Sequence, residues 1–263
     1  MQSIKDSIHK NMAFSSDVCE KHNINLMDFS GEVVCPRCFL EKENEKVQQR
    51  EEEKYLKRNY LLLNSKSLVS DKTILNATLD NFKPTCAEEK NNKQLVKECI
   101  NRYKDGQVFN VVLQGLQGTG KSHLAYAMLK ELNENSNFKA SCLFMSVEEM
   151  IRKIKGTFKD DKSIYTENYF IDLISQVDYL VLDDLGAETG AIGTDKSATD
   201  FVQRVLYAIT TTRQDKSTII TTNLASATIF GMYDRKLVSR LFKKPKYIVF
   251  RESKDKRIAD IPF

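Results

Sequence analysis

The stretch NVVLQGLQGTGKS, residues 110–122, joins a short apolar run to the octet GLQGTGKS. The octet matches the phosphate-loop pattern GxxxxGK[ST] at every fixed position, and good helix formers follow it. Glycines let the backbone curl so that successive N–H groups face one phosphate cluster, and a helix start adds partial positive charge. The strand before the loop and the helix after it argue against a chance glycine turn. The stretch therefore predicts binding of a nucleoside triphosphate.

The phosphate loop assigns roles to particular side chains. Lys121 is expected to reach the β- and γ-phosphates, and the Ser122 hydroxyl is expected to ligate Mg²⁺. The predicted nucleotide contacts around the loop are Gly115, Gln117, Gly118, Thr119, Gly120, Lys121, Ser122 and His123.

A second motif, VDYLVLDD at residues 177–184, is an apolar strand that ends in two carboxylates. A parallel strand delivers Asp183 to the same sheet edge as the phosphate loop, where it is predicted to bind nucleotide and Mg²⁺ with Ser122. Asp184 is predicted to polarise the attacking water. Many phosphate-loop ATPases have the longer Glu there, so the sequence favours slow, switch-like hydrolysis.

Asn223 directly follows the predicted strand 217–222. An Asn in this place is often only a turn or helix cap. Its position after both nucleotide motifs favours a second interpretation, in which its amide orients the water beside the γ-phosphate.

From about residue 73 onward, apolar runs alternate with amphipathic stretches. The predicted strands are 109–114, 141–146, 179–183, 217–222 and 247–250, and the predicted helices are 121–133, 147–155, 169–176, 199–212 and 235–241. Strands that alternate with helices need crossover connections, so the fold class is α/β with a parallel sheet covered on both faces.

The front of the chain carries a different signature, C-x₂-H-x₁₂-C-x₂-C. Thiolate and imidazole ligands at this spacing suit tetrahedral Zn²⁺, and four of them leave no open catalytic position. The predicted zinc ligands are Cys19, His22, Cys35 and Cys38, against the alternative of four scattered residues. The other cysteines, Cys86, Cys99 and Cys142, lack paired spacing and are expected to be packing residues.

Composition sets the remaining limits. The chain has 263 residues, with 40 Lys and Arg against 36 Asp and Glu, and this net charge of +4 is too small to indicate nucleic-acid binding by itself. No apolar run has the length of a membrane span or a signal peptide, so a cytoplasmic protein is expected. Six cysteines in such a chain favour metal ligands or buried thiols over disulfides.

The predicted domains are a zinc-binding module at 1–40, a charged helical linker at 41–72 and an ATPase domain at 73–263. Basic residues recur every fourth position in the linker, which indicates a solvated helix or a contact stripe. The apolar residues 60–63 and 68–69 beyond it are expected to dock on a partner or on the ATPase domain.

Four motifs, GLQGTGKSHLA, YLVLDDLGAE, IITTN and DRKLVSRL, resemble the DnaC/DnaI-type helicase loaders of the AAA+ class across residues 73–260. The resemblance implies a five-stranded parallel sheet of order 5-1-4-3-2 without a C-terminal lid. It also implies that Arg240 is an arginine finger completing a neighbouring subunit's site, and that Arg257 is a second arginine sensor of the nucleotide.

The same resemblance implies a helical insertion that grips single-stranded DNA. Lys153 and Lys155 would track phosphates and Phe158 would stack on a base. The alternative is an amphipathic helix with one core Phe and a solvated basic face.

The function that the resemblance implies is an ATP-dependent loader of a replicative helicase onto single-stranded DNA. Its zinc module would dock on the hexameric helicase, and its ATPase domains would self-associate. Two alternatives stay open: an IstB-type ATPase that assists a transposase on duplex DNA, and an adaptor that binds ATP with little hydrolysis.

Overall fold

The computed structural model describes residues 13–29, 31–160, 162–189 and 197–257. The chain divides into two compact units, Met1–Tyr55 and Leu56–Phe263. The predicted domain ranges also include residues outside the described part, and their boundaries stay a prediction. Within the described part, no helix combines the length and the apolar character that a membrane span requires.

The first unit contains a three-stranded antiparallel sheet in the order β1-β2-β3. Its strands are β1 (Ala13–Val18), β2 (Asn25–Phe29) and β3 (Glu32–Val34). Helix α1 (Pro36–Leu61) follows directly, and the division between the units falls within it. The helix covers the charged stretch that the sequence predicts to be helical, whereas the three strands were not predicted.

The second unit begins with irregular turns, a π-helical turn at Leu62–Lys66 and a 3₁₀ turn at Lys72–Asn76. The strands that follow are β4 (Asn110–Gly115), β5 (Cys142–Ser146), β6 (Tyr179–Asp183), β7 (Ser217–Thr222) and β8 (Pro245–Phe250). The helices are α2 (Ala87–Lys104), α3 (Lys121–Asn135), α4 (Val147–Thr157), α5 (Glu167–Gln176), α6 (Asp200–Thr211), α7 (Ser226–Met232) and α8 (Arg235–Leu241).

All neighbouring strands of this sheet run parallel, in the order β5-β6-β7-β4-β8. With β4 numbered as strand 1 of this sheet, the order is 2-3-4-1-5. This is the predicted order 5-1-4-3-2 read from the opposite edge of the sheet. The α/β class, the strand order and all five predicted strands are thus confirmed. Because the strands are parallel, the loops after β4, β6 and β7 share one edge of the sheet.

Apolar residues pack on both faces of the sheet. One cluster joins it to α4, α5, α6, α7 and α8, and the other joins it to α2 and α3. Helices α2 and α7 were missed in the sequence, although the buried residues Val96, Ile100 and Tyr103 of α2 recur at helical spacing.

The apolar residues after α1 dock on the second unit's own core. Leu62 and Leu63 are buried there, in different clusters. Leu68 extends the edge of the sheet, since its N–H donates to the Phe144 carbonyl at 2.9 Å and its carbonyl accepts from the Ser146 N–H at 2.9 Å. Of the two expectations for this segment, docking on the ATPase domain is the one observed.

Candidate nucleotide site and metal centre

The phosphate loop lies between β4 and α3, as the motif predicts. Gly120 has φ +92°, and a Cβ there would lie 2.7 Å from Cε2 of Phe82, so only glycine fits. Hydrogen bonds within the loop stabilise its conformation. The Thr119 hydroxyl donates to the Leu116 carbonyl at 2.9 Å, and the Lys121 ammonium donates to the same carbonyl at 2.5 Å. The backbone therefore already has the curled form that cradles phosphates.

The loop opens onto a cavity of about 410 Å³. Nine predicted site residues line it: Gln117, Gly118, Gly120, Lys121, Ser122, His123, Asp184, Asn223 and Arg257. Three other predicted contacts, Gly115, Thr119 and Asp183, are not part of the wall. The wall also contains four residues that the sequence did not indicate: Asp71, Thr73, Ile74 and Lys256.

The two carboxylates after β6 have different environments. Asp183 is buried, and its Oδ1 accepts a 2.7 Å hydrogen bond from the Thr221 hydroxyl. Burial raises the pKa of Asp183 to about 6, although hydrogen bonds from Thr221 and Ser122 act in the opposite direction. Hydroxyl and carboxylate oxygens are the ligands that Mg²⁺ prefers, so Ser122 and Asp183 fit a magnesium site.

Asp184 lines the cavity, and its backbone is left-handed, with φ +60°. This conformation is uncommon outside glycine, and Asp is one of the residues that tolerate it. Its N–H donates to the Thr221 hydroxyl at 2.8 Å, and the Asn223 amide donates to its Oδ1 at 2.7 Å. Asn223 thus contacts the predicted water-polarising carboxylate directly.

Lys121, Lys256 and Arg257 bring positive charge to the cavity, and burial lowers the pKa of Lys121 to about 8. The nearby charges of Asp184 and Asp183 raise the pKa and offset part of this effect. Buried ammonium and carboxylate groups without full hydrogen bonding are costly. A triphosphate would add negative charge beside Lys121, and its magnesium would add positive charge beside Asp183.

The two predicted arginines lie in different places. Arg257 lines the cavity, and its Nη2 is 3.8 Å from Oδ2 of Asp71. Arg240, in α8, does not line it; its guanidinium lies 4.2 Å from the centre of the Tyr207 ring. Its Nε is buried and has no hydrogen-bond partner among the described residues. An action of Arg240 on a neighbouring subunit's nucleotide stays a prediction.

The predicted DNA-binding residues belong to α4 and the turn after it. Phe158 is 67% exposed, so the alternative that it is a core residue is wrong. Its ring meets Phe201 of α6 edge-on at 5.5 Å. Lys153 lies over the Tyr165 ring at 4.3 Å, and Lys155 lies 5.9 Å from the Phe201 ring. These residues form a basic and aromatic surface, and sequence reasoning missed Phe201.

The four predicted zinc ligands converge in the first unit, where their ligand atoms lie within 4.8 Å of one another. Nδ1 of His22 is 3.4 Å from Sγ of Cys38 and 3.5 Å from Sγ of Cys35, and the Cys19 and Cys38 sulfurs are 3.8 Å apart. These separations match the edges of a tetrahedron with Zn–S bonds of about 2.3 Å. The donor set therefore fits zinc.

Glu41 is not one of the four predicted zinc ligands, but it contacts one of them, His22. Its Oε1 is 3.0 Å from Nε2 of His22, which leaves Nδ1 to face the three sulfurs. A carboxylate behind a metal-binding imidazole fixes its tautomer and orientation. Elsewhere, Cys99 and Cys142 are buried thiols, in line with the packing role expected of them.

Strand order, phosphate loop and paired carboxylates together define a phosphate-loop nucleotide-binding domain of the AAA+ type. The family described as "IstB-like ATP binding protein" matches residues 39–241, which is most of the chain. The chain therefore belongs to the IstB-like ATP-binding family.

Curated relatives are replicative helicase loaders named DnaC. The protein from Escherichia coli K12 is 28% identical over 114 residues, which are 43% of this chain and 44% of that protein. The one from Buchnera aphidicola (Acyrthosiphon pisum) is 31% identical over 118 residues, 44% of this chain and 45% of that protein. The chain thus matches less than half the length of these relatives.

Two solved structures share the fold. The crystal structure of the DnaC helicase loader has a TM-score of 0.56 and 24% identity, over 69% of this chain and 100% of that one. The crystal structure of DnaI has a TM-score of 0.57 and 22% identity, over 70% of this chain and 96% of that one. At this identity the likeness shows the fold alone.

Proposed function

We propose that this protein is an ATP-dependent loader that delivers a replicative DNA helicase onto single-stranded DNA, and that it is a switch ATPase. The observation that carries the proposal is the single cavity shared by Lys121, Asp184 and Asn223, in a chain whose curated relatives are named replicative helicase loaders. A cytoplasmic location belongs to the same proposal.

Hydrolysis is assigned to the residues after β6 and β7. Asp184 polarises the water that attacks the γ-phosphorus, with ADP as the leaving group, and Asn223, whose amide donates to Oδ1 of Asp184 at 2.7 Å, helps to orient that water. Lys121 binds the β- and γ-phosphates, and bound Mg²⁺ would neutralise phosphate charge beside Ser122 and Asp183. Asp184 is one methylene shorter than Glu, which favours slow turnover.

Self-association would complete the site. Arg240 does not line the cavity of its own chain, and its guanidinium lies over the Tyr207 ring at 4.2 Å. We assign it to the γ-phosphate bound by a neighbouring copy, where a guanidinium stabilises developing charge. Loss of the γ-phosphate would then weaken the contact between copies.

Single-stranded DNA is assigned to the surface formed by Phe158, Phe201, Lys153 and Lys155. An exposed ring gives bases a stacking face, and nearby ammonium groups bind the backbone phosphates. Arg204 adds a cation 5.5 Å from the Phe201 ring. The exposure of Phe158 and the charge around it support this assignment.

The zinc-binding unit is proposed to dock on the helicase. Its sheet and helix leave large apolar side chains in solvent: Phe14, Val18, Val33 and Leu40. These exposed apolar side chains support a role of this unit in protein contacts.

The family match favours one second candidate, an IstB-like ATPase that assists a transposase on duplex DNA. Co-purification with candidate replicative helicases, with and without ATP, separates the two. The loader forms a complex that responds to ATP, and the Lys121→Ala variant loses that response. Absence of a complex in both conditions, together with cooperative binding to duplex DNA, would favour the transposition role and contradict ours.

A further inference from the structure

The segment after β8, residues 251–257, is called the strap below. Glu88, in the first turn of α2, accepts hydrogen bonds from the first three residues of the strap. The backbone N–H groups of Arg251, Glu252 and Ser253 donate to the Glu88 carboxylate over 2.8–3.2 Å. The Ser253 hydroxyl adds a further bond at 2.9 Å. One side chain therefore fixes three consecutive residues of the strap.

Lys256 joins the strap to both the phosphate loop and α2. Its N–H donates to the Gly118 carbonyl at 3.0 Å. Its ammonium donates to Oε2 of Glu89 at 2.7 Å and to the Lys83 carbonyl at 2.8 Å. The Glu89 side chain is fully buried, so removal of its cation would leave an uncompensated charge.

Asp255 packs against the phosphate loop itself. A Cβ on Gly118 would lie 1.7 Å from Oδ1 of Asp255, so the loop and the strap fit together only because residue 118 is glycine. The same oxygen accepts a 2.8 Å hydrogen bond from the N–H of Arg257, which lines the nucleotide cavity. The position of Arg257 thus depends on how the strap is held.

We propose that Glu89 and Lys256 are positioning residues that hold the strap on the phosphate loop and thereby set how long nucleotide stays bound. The inference rests on the proposed ATP-dependent function. A phosphate loop that is fixed before binding loses less freedom when nucleotide arrives. Lys256 lines the cavity and Glu89 does not, so Glu89 acts on nucleotide through its contacts, which are Lys256 at 2.7 Å and the Thr85 N–H at 2.7 Å.

The test is a titration of the full chain with a fluorescent ADP analogue and Mg²⁺, together with its dissociation rate. Glu89→Gln and Lys256→Met are expected to raise both the Kd and the dissociation rate about ten-fold. The Kd of the double variant should be no higher than the Kd of either single variant, because the two residues act as a pair. Lys256→Arg keeps the cation and should restore binding. Lys254→Met, an exposed change of the same charge in the same segment, is the matched control and should bind as the wild type does.

Amide hydrogen exchange of the wild-type protein, with and without ADP, is a second test that requires no variant. Slower exchange of residues 251–257 when ADP binds supports the proposal, and unchanged exchange overturns it. Folded Glu89→Gln and Lys256→Met variants that bind like wild type also overturn it, while the proposed function stands. A wild type that does not bind the analogue would instead defeat the proposed function, and the inference with it.

Discussion

Asp183 and Lys121 carry opposite charges at the nucleotide site, and burial disfavours the charged form of both. The pKa of Asp183 rises to about 6, and that of Lys121 falls to about 8. Each shift means that the empty site bears a cost that a magnesium nucleotide would relieve. At the residue scale, the site is built for a charged ligand.

The stability of the nucleotide-free protein should therefore depend on Asp183 in a defined pH window. The folded chain keeps this proton up to about pH 6, whereas the ordinary Asp value is 3.8. The contribution of the group is thus fully present below pH 3.8 and is lost as the pH rises through 6. A shift of this size corresponds to about 3 kcal/mol.

The measurement is the free energy of unfolding of wild type and Asp183→Asn without Mg²⁺, from pH 4 upward. Because Asn does not titrate, the variant should gain stability relative to wild type across the window. A difference that stays constant with pH would contradict the assigned burial of the charge.

At the scale of elements, the extent of burial decides which strands a local sequence pattern can predict. Strands β4, β5 and β6 were predictable because most of their residues are buried and form apolar runs. Strands β1–β3 were not, since Met27 is the one buried side chain among their described residues. Asp71 and Lys256 reach the cavity from segments far apart in sequence, so no local motif could indicate them.

Neighbouring leucines in the segment at the end of α1 offer a matched pair of substitutions. Leu63 is 3% exposed within the core that supports the phosphate loop, whereas Leu61 is 43% exposed. Leu63→Ala should lower the free energy of unfolding by about 3 kcal/mol, because it leaves a cavity. Leu61→Ala should change it by less than about 0.5 kcal/mol. Equal effects in denaturant titrations would contradict the docking of this segment.

The zinc ligands lead to a second prediction about an element. Cys38 lies in the first turn of α1, so bound metal would tie the start of this helix to the sheet. The purified chain should contain one zinc per molecule, and Cys38→Ser should lose it. Cys86→Ser, outside the cluster, should retain it. Zinc retained by Cys38→Ser in metal analysis would argue against the assigned ligand set.

At the scale of the whole molecule, the proposed arginine finger makes hydrolysis a property of the assembly. Arg240→Ala has an intact cavity without the finger, and Asp184→Asn has the finger without the water-polarising carboxylate. Each alone should hydrolyse ATP poorly, since an arginine finger is worth about 10³-fold or more. Mixing the two should restore activity.

Phosphate release from the mixture should exceed the sum of the separate proteins by about ten-fold. Arg235→Ala, at the exposed start of the same helix, is the control and should keep wild-type turnover. Wild-type turnover by Arg240→Ala, or no restoration on mixing, would remove the finger assignment.

The proposed function depends on binding of a magnesium nucleoside triphosphate by Lys121, Ser122 and Asp183. Its most direct test is equilibrium titration of a fluorescent ATP analogue with Mg²⁺ into wild type and Lys121→Ala, with Lys130→Ala on the same helix as control. We expect saturable, magnesium-dependent binding to wild type and the control, and loss of that binding in Lys121→Ala. Equal binding by all three proteins, or none by wild type, would contradict it.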